Sequence, residues 1–542
     1  MNKKQTYGLA LLSAFIMWLA WPPHTWLAPL LLIGLVPLFI ALANIDSKAT
    51  KKRGKKIFLT AGFTFLVWNT ASIYWVFNAI NSASTNVVET IISLFVSLIP
   101  FGLGALLMTF AFWLYYRLKN YVGVKIAYLG LISFYISMEY LHQSWQLNFP
   151  WMNLGNGFAG LHQFIQWYEY TGVYGGSVWI LLSNILAFEG YKALVQKNTK
   201  AYQPILSWIL VLVIPIGFSL YTYFTYEEKT SPVNVVVVQP NIDPYEKLGG
   251  ISPEAQLAVL THLSDSAGQV NTEYFFWPET ALPIYADEDQ IRSNPTIISA
   301  QQFISKYKNG TLITGMEGVK WYNTKETESA QEWKQKGIFV DHFNSAIQLE
   351  NSAQVNIYHK SKLVPGVERM PFPQVLSFLA PVFRELGGSI SGWGTQDAPE
   401  VFYAHSGVGV TPVICYESIF GSWVAQSVKD GAQFIAIITN DGWWGNTSGK
   451  DQHFMYAKLR AIETRRWVAR SANTGISGFI NQRGDVVKRS KWWTSTALKE
   501  DINLNDTLTF YVHNGDVLAK LFSVLALLLA LIIPYIKWMK KN

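Results

Sequence analysis

The sequence predicts two kinds of structure in one chain: a multi-pass α-helical membrane domain with about eight spans, and an α/β layered globular domain. Half of the 542 residues are hydrophobic and 15% are charged, whereas an ordinary soluble domain has about 25% charged residues. The apolar residues are concentrated in stretches long enough, or nearly so, to cross about 30 Å of hydrocarbon as helices. Residues 226–517 carry short strand-like runs and turns instead.

The apolar stretches lie on both sides of the globular region. The first stretch follows Lys3 and Lys4, as in a signal peptide, but a second apolar stretch follows without a convincing cleavage site, so we expect a retained helix. The predicted domains are residues 1–225 with about seven spans, the globular residues 226–517, and a last span and tail at 518–542. The predicted spans are 6–22, 27–44, 57–79, 88–116, 124–141, 172–194, 204–225 and 518–538.

Basic residues occur in alternate connections between the predicted spans. The connections 23–26, 80–87 and 142–171 contain no lysine or arginine. The positive-inside rule therefore predicts cytoplasmic termini and a location for residues 226–517 on the opposite side of the membrane. The net charge of +7 is explained by orientation, so we expect no nucleic-acid partner. The basic connections contain Lys3, Lys4, Lys48, Lys51, Lys52, Arg53, Lys55, Lys56, Arg117, Lys119, Lys125, Lys192, Lys197, Lys200, Lys537, Lys540 and Lys541.

The connection 142–171 is rich in aromatic residues, including Trp151. Amphipathic aromatic side chains favour the membrane–water interface. The segment is consistent with two interpretations: a re-entrant or interfacial anchor for the helices, and part of a lipid-facing entrance.

Three apolar runs in the globular region end in residues suited to nucleophilic catalysis: Glu279, Lys360 and Cys415, the only cysteine. A thiol attacks as thiolate, which a carboxylate base can generate and an ammonium can stabilise. Each residue also has a structural interpretation, as a turn glutamate, an exposed strand lysine and a small buried hydrophobe. Lys362 faces the same side of an extended strand as Lys360, so periodicity does not choose between the two lysines.

The motifs around these residues resemble those of the nitrilase, or carbon–nitrogen hydrolase, superfamily. They are Trp-Pro-Glu-Thr at 277–280, Lys360 followed by Leu-Val-Pro at 363–365 and by Glu368, and Cys-Tyr-Glu at 415–417. The resemblance implies an α-β-β-α sandwich. With spans before and after that domain, the chain is most similar to the apolipoprotein N-acyltransferases.

That resemblance implies acyl transfer from a phospholipid, usually phosphatidylethanolamine, to the N-terminal amine of an apolipoprotein's diacylglyceryl-cysteine, the last step of bacterial lipoprotein maturation. The reaction is ping-pong through a thioester. The matched positions imply that Glu279 is the base, Lys360 the stabiliser of charged intermediates and Cys415 the nucleophile. Supporting positions are Glu368, Tyr416 and Glu417, and the candidate aromatic residues for substrate binding or gating are Trp443 and Trp151.

Two positions differ from the family pattern: Gly366-Val367 stands where Phe-Gly is usual, and Leu248 where many members have tryptophan. Both affect substrate gating rather than the triad. We further expect a monomer in the bacterial inner membrane with a periplasmic catalytic domain, and no metal or organic cofactor, because no His/Cys cluster has the spacing of metal ligands. The alternatives are a membrane-tethered amidase or nitrilase that hydrolyses its acyl group, and a non-enzymatic scaffold or transporter. The sparse intramembrane charge disfavours a transporter.

Overall fold

The computed structural model describes residues 1–48, 52–81, 86–247, 250–376, 378, 380, 389 and 392–539. Leu248 lies outside these residues. The chain forms two compact units. The helical unit comprises Met1–Phe77, Thr90–Thr225 and Asp516–Asn542, and the sandwich unit comprises Asn78–Glu89 and Tyr226–Gly515.

Every predicted span falls on helix. The α-helices within residues 1–225 and 516–542 are Lys3–Leu19, Val36–Ser47, Arg53–Ser72, Trp75–Asn81, Val87–Val122, Val124–Ser144, Tyr168–Val195, Tyr202–Thr225 and Val517–Met539. Short 3₁₀ helices occur at Thr25–Leu32, Pro150–Met152, Leu154–Phe158 and His162–Phe164.

The number of helices able to cross a membrane is close to the predicted number but lower. Within the described part of the chain, six helices are long and apolar enough, or up to seven if the bent pair Arg53–Ser72 and Trp75–Asn81 is one span. The predicted span 6–22 accounts for the lower number, because its helix has only 17 residues. At 1.5 Å per residue it is about 26 Å long, a little short of about 30 Å of hydrocarbon.

The sandwich unit contains two β-sheets. In the first sheet the strands are ordered β14-β1-β2-β4-β6-β5, with β3 beside β4 and β7 beside β6. The second sheet has the order β13-β12-β11-β10-β9-β8. The strands are β1 (Pro232–Gln239), β2 (Thr272–Phe276), β3 (Leu282–Asp287), β4 (Thr311–Tyr322), β5 (Gln331–Trp333), β6 (Ile338–Leu349), β7 (Asn356–His359), β8 (Phe402–Tyr403), β9 (Gly409–Ile414), β10 (Phe434–Thr439), β11 (Val468–Ala472), β12 (Gly478–Ile480), β13 (Val486–Arg489) and β14 (Thr496–Asn503).

Helices cover the outer face of each sheet. Along β1, Val235 and Val237 belong to the core between the sheets, whereas Val236 and Val238 belong to the core under the helices. This alternation is the period of two that a strand buried on both faces requires. The described α-helices of the unit are Pro253–Ala267, Pro295–Ile304, Pro373–Leu376, Gly421–Lys429, Ser448–Thr464 and Phe510–Asn514, with 3₁₀ helices at Glu288–Ser293, Cys415–Ile419 and Asp441–Trp444.

The predicted fold class is confirmed. The strands β1, β2 and β4 run parallel, as do β9, β10 and β11. The carboxyl ends of parallel strands meet at one edge of a sheet, where catalytic side chains commonly gather.

Candidate active site

Glu279 lies just beyond the carboxyl end of β2 and is 6% exposed. The neighbouring strand β4 approaches this turn closely, since a Cβ at Gly315 would lie 2.3 Å from the Thr280 nitrogen. The Asn344 side-chain amide on β6 donates a hydrogen bond of 2.8 Å to Glu279 Oε1. The main chain and Asn344 together therefore hold the carboxylate in one orientation.

Lys360 follows β7 and is 1% exposed. Its Nζ lies 3.0 Å from Glu279 Oε1 and 2.7 Å from Glu368 Oε1. Glu368 is reached through a tight turn in which Gly366 has a φ of 84°, a conformation that glycine adopts at little cost. The replacement of Phe-Gly by Gly366-Val367 is thus compatible with a direct contact between Glu368 and the lysine.

The structure separates the two lysines that periodicity left equivalent. The strand β7 ends at His359, so the alternation of an extended strand does not continue through residues 360–362. Lys362 Nζ lies 4.1 Å from the centroid of the Trp423 ring, in a cation–π contact, while Lys360 makes the two carboxylate contacts.

Cys415 follows β9 and is buried, with 8% of its surface exposed. Its φ is 50°, a left-handed conformation that costs a non-glycine residue about 1–2 kcal/mol. The thiol donates a hydrogen bond to Glu279 and is close to the charges of Glu279 and Lys360. The three residues proposed from the sequence as catalytic therefore meet at one point.

The protonation states follow from burial and from the charges in the cluster. Burial raises the pKa of Glu279, but the Lys360 ammonium and hydrogen bonds from Asn344, Lys360 and Cys415 outweigh it and bring the pKa below its usual value. Burial opposes the charge on Lys360, yet Glu279 and Glu368 hold its pKa well above the usual value. Burial and the Glu279 charge raise the pKa of the Cys415 thiol. The resting site thus contains a carboxylate, an ammonium and a neutral thiol.

Glu417 connects the ends of β7 and β9. Its Oε1 accepts hydrogen bonds from Tyr358 Oη at 2.7 Å and from the Ser361 backbone N–H at 2.7 Å. Its Oε2 accepts the Ile414 N–H at 2.9 Å. This side chain, which is 0% exposed, therefore ties the lysine segment to the cysteine segment and does not itself contact the thiol.

The remaining sequence candidates lie in different surroundings. Tyr416 is 4% exposed, and its ring lies 5.4 Å from the Phe420 ring. Trp443 is 41% exposed. Trp151 belongs to the helical unit, where it is 1% exposed and packs against the Trp75 ring, with the ring centroids 4.7 Å apart and the planes tilted by 55°.

Two further residues at the site were not found from the sequence. Asn344 is one; it lies on β6 among other polar residues such as Asp341 and Gln348, so nothing in the strand marked it. Lys247 is the other: its Nζ donates hydrogen bonds to the Glu279 carbonyl at 3.1 Å and to Thr280 Oγ1 at 2.8 Å. Burial lowers the pKa of Lys247 to about 8, against the opposing charges of Glu279 and Glu317. A lone lysine in a loop gives no sequence signal for such a contact.

This arrangement suits covalent acyl transfer. The carboxylate can accept the thiol proton, the ammonium can stabilise the oxyanion that forms, and the thiol can carry an acyl group as a thioester.

Comparison with known proteins assigns the class first. Residues 234–510 match the carbon–nitrogen hydrolase family, and residues 13–186 match the apolipoprotein N-acyltransferase N-terminal domain. An amidase from Nesterenkonia sp. of known crystal structure has a TM-score of 0.36 and 13% sequence identity, over 55% of this chain and 98% of its own. The family match over residues 234–510 shows that the chain contains a carbon–nitrogen hydrolase domain.

Full-length relatives then identify the family. The apolipoprotein N-acyltransferase of Chlorobaculum tepidum is 30% identical over 542 residues, 97% of this chain and 96% of its own length. That of Geobacter metallireducens is 25% identical over 524 residues, 95% of this chain and 93% of its own length. The chain belongs to the apolipoprotein N-acyltransferase family: it is a membrane-bound N-acyltransferase of the carbon–nitrogen hydrolase superfamily, as the resemblance of its motifs predicted.

Proposed function

We propose that this enzyme transfers an acyl chain from a phospholipid, phosphatidylethanolamine in the first instance, to the α-amino group of the diacylglyceryl-cysteine at the N-terminus of apolipoproteins. This is the last step of bacterial lipoprotein maturation. The observation that carries the proposal is the neutral, buried Cys415 thiol hydrogen-bonded to the Glu279 carboxylate in a chain of this family.

In the first half-reaction Glu279 takes the thiol proton while Sγ of Cys415 attacks the ester carbonyl of the donor. The carbonyl oxygen becomes an oxyanion, stabilised by the Lys360 ammonium. The carbon–oxygen bond of the ester then breaks, Glu279 returns the proton to the departing lysophospholipid oxygen, and the acyl group remains on Cys415 as a thioester.

In the second half-reaction the acceptor enters as a neutral primary amine. Its nitrogen attacks the thioester carbonyl, Glu279 accepts a proton from that nitrogen, and the carbon–sulfur bond breaks. The products are an amide and the Cys415 thiolate, which Glu279 reprotonates. Glu368 keeps Lys360 oriented toward the site through their contact of 2.7 Å, and no external energy source is needed because the thioester preserves the activation of the acyl group.

Two aromatic residues were candidates for substrate contacts. The 41% exposure of Trp443 supports a role in contacting the acyl chain or lipid. The burial of Trp151 against Trp75 favours the interpretation in which the segment 142–171 anchors the helical unit.

We further propose that the enzyme works as a monomer in the bacterial inner membrane, with residues 226–517 on the periplasmic side and both termini in the cytoplasm. The alternation of basic connections supports this orientation. In a Cys415→Ser background, Val270→Cys, at a site 95% exposed, would react with an impermeant maleimide on spheroplasts, and Asn198→Cys would react only after lysis. The reverse pattern would contradict the orientation.

The acyl-enzyme itself provides the test of the donor half-reaction. Purified enzyme is incubated with phosphatidylethanolamine and no acceptor, and its intact mass is measured. We expect a fatty-acyl increment that hydroxylamine removes and that is absent from Cys415→Ser. Because Cys415 is the only cysteine, the adduct has one possible thiol position, and wild-type turnover by Cys415→Ser would refute the proposal.

The competing function is hydrolysis by a membrane-tethered amidase or nitrilase with the same three residues. It predicts free fatty acid in place of a persistent adduct. The names of the full-length relatives, both apolipoprotein N-acyltransferases, favour transfer to an amine.

A further inference from the structure

The backbone at Cys415 is held in an unusual conformation by buried polar groups that the proposed reaction does not use. The residue lies between β9 and the 3₁₀ helix Cys415–Ile419 with a φ of 50°. A left-handed residue of this kind persists only where its surroundings determine it, and such strain clusters at functional sites. The groups that contact the Cys415 carbonyl are therefore informative.

Two side chains converge on the carbonyl oxygen of Cys415. Ser418 Oγ donates a hydrogen bond of 2.7 Å to it, and His453 Nε2 lies 3.2 Å from it. Ser418 Oγ and His453 Nε2 are 2.9 Å apart. Since the Ser418 proton is directed to the carbonyl, both oxygens that face Nε2 are acceptors, so Nε2 carries a hydrogen and donates.

The other side of the His453 ring is held equally firmly. Arg470 Nη2 lies 2.9 Å from His453 Nδ1 and 2.8 Å from Asp441 Oδ2. Asp441 Oδ1 is 3.0 Å from the same Nδ1, and it also accepts a hydrogen bond of 3.0 Å from Thr439 Oγ1. The side chains of His453, Asp441 and Arg470 are 0% exposed, so the orientation of the imidazole is set by buried contacts on both edges.

We propose that His453, together with Ser418, is a positioning residue: it holds the Cys415 carbonyl so that the N–H of Tyr416 faces the acyl oxygen of the tetrahedral intermediates. In a trans peptide the C=O and the next N–H point in opposite directions, so fixing the Cys415 carbonyl on the His453 side turns the Tyr416 N–H to the other side.

The chemistry requires such a donor. When Sγ attacks an ester carbonyl, the electron pair of the carbonyl moves to its oxygen, and a preorganised donor at that position stabilises the oxyanion. At a sharp turn from a strand into a helix, the N–H of the residue after the nucleophile is suited to this task. Lys360 supplies positive charge to the same intermediate, and the two contributions are separable because only the backbone donor depends on His453.

The proposal rests on the proposed acyl transfer. It predicts different effects on acylation and on alkylation of Cys415, whereas a purely structural role for His453 predicts the same effect on both. Acylation of Cys415 passes through an oxyanion, whereas alkylation by iodoacetamide is a displacement at a saturated carbon and does not. Loss of the aligned N–H therefore slows acylation and leaves alkylation unchanged, while a general disturbance of the thiol slows both.

The experiment compares the full-length variants His453→Leu and His453→Gln with wild type. Single-turnover acylation by phosphatidylethanolamine and alkylation by iodoacetamide are both followed by intact mass. We expect His453→Leu to slow acylation about 100-fold, the size typical for an oxyanion donor, with alkylation within about twofold of wild type. His453→Gln, whose amide can donate from nearly the position of Nε2, recovers most of the acylation rate.

Arg466→Leu is the control for lost stability. Arg466 is 1% exposed and donates to the Ala432 carbonyl, which precedes β10 at the end of that strand remote from Thr439. Its ratio of acylation to alkylation should equal that of wild type. If His453→Leu does not fold, Ser418→Ala, which removes the other donor to the Cys415 carbonyl, replaces it with an expected loss of about tenfold in acylation alone.

Equal losses of acylation and alkylation in His453→Leu, or no loss of either, would overturn the proposal. So would a His453→Gln variant as slow as His453→Leu. If wild type forms no thioester, the proposed function fails instead, and the alkylation data identify that case because they do not depend on the lipid donor.

Discussion

The two sheets of the sandwich unit contribute different chemistry to the same site. Strand ends of the first sheet supply charged side chains, since Glu279 follows β2 and Lys360 follows β7. Lys360 Nζ lies 3.0 Å from Glu279 Oε1. The second sheet supplies a neutral thiol at the end of β9, on a backbone whose carbonyl accepts a hydrogen bond of 2.7 Å from Ser418.

This difference determines how a substitution on each sheet affects stability and activity. Buried charges stabilise one another, so removing one partner leaves an uncompensated charge in a low-dielectric site. A neutral thiol has no such partner to lose, and its surroundings affect mainly its reactivity. Substitutions of the charged residues on the first sheet should therefore reduce both stability and activity, whereas substitution of the thiol itself should reduce activity alone.

The largest effect is expected from Glu279→Gln, which removes the proposed base. Acylation of Cys415 should fall about 10³–10⁴-fold, within the upper range for general base catalysis. Burial and the Glu279 charge both raise the pKa of the Cys415 thiol, so removing the charge should lower that pKa.

The pH dependence of iodoacetamide alkylation measures this directly. The alkylation profile of Glu279→Gln should shift to lower pH than that of wild type even though acylation is nearly lost. An unchanged profile would mean that the Glu279 charge does not act on the thiol, and a shift to higher pH would mean that Glu279 favours the thiolate; either result would contradict the account.

The next effect is expected from Lys360→Met, which leaves Glu279 and Glu368 without their shared cation. Acylation should fall about 10²–10³-fold because the oxyanion loses its positive partner. The sandwich unit should also lose about 3–5 kcal/mol of unfolding free energy, measurable by denaturant unfolding of the enzyme in detergent.

The double variant Lys360→Met/Glu279→Gln is the control for the stability loss in Lys360→Met. It removes one of the two uncompensated carboxylates and should recover part of the lost stability without recovering activity. A double variant less stable than Lys360→Met would contradict the account of paired charges.

A smaller effect is expected from Glu417→Gln, because this residue joins the two halves and does not contact the thiol. The amide can still accept from Ser361 or from Ile414 but not from both, so one backbone N–H loses its partner. We expect about 1–3 kcal/mol of lost stability and about a tenfold slower acylation. Denaturant unfolding and single-turnover acylation measure the two effects, and a Glu417→Gln variant with unchanged stability would show that the connection is dispensable.

The smallest effect is expected from Lys362→Met, the matched counterpart of Lys360→Met. Lys362 contacts the Trp423 ring at 4.1 Å and lies outside the cluster of carboxylates. Steady-state acyl transfer should stay within about twofold of wild type, since this half-buried lysine contacts the Trp423 ring rather than the Glu279 carboxylate. If Lys362→Met lost as much activity as Lys360→Met, the assignment of the catalytic ammonium to Lys360 would be wrong.

The fold class and the three central residues were predictable because each has a local signal. Long apolar stretches predict spans, and a polar residue at the end of an apolar strand predicts a position at the sheet edge, as for Glu279 and Cys415. The length of the first helix was less predictable, since helix ends depend on local capping, and Lys3–Leu19 ends at 17 residues.

Contacts made across the sequence were not predictable from it. Asn344 reaches Glu279 from a strand 65 residues away, and His453 reaches the Cys415 carbonyl over 38 residues. Lys360 and Lys362 could not be ranked by periodicity, because the end of β7 at His359 is set by its pairing with β6. The left-handed backbone of Cys415 likewise has no signal in the residue type.

The most direct test of acyl transfer through Cys415 is a chase of the isolated acyl-enzyme. Enzyme acylated with radiolabelled phosphatidylethanolamine is freed of donor and divided between buffer alone and buffer with a diacylglyceryl-cysteine peptide bearing a free amine. We predict that the label remains on the protein in buffer and moves to the peptide as an amide when the acceptor is present. Release of the label as free fatty acid at the same rate in both samples would contradict the account and identify the enzyme as a hydrolase.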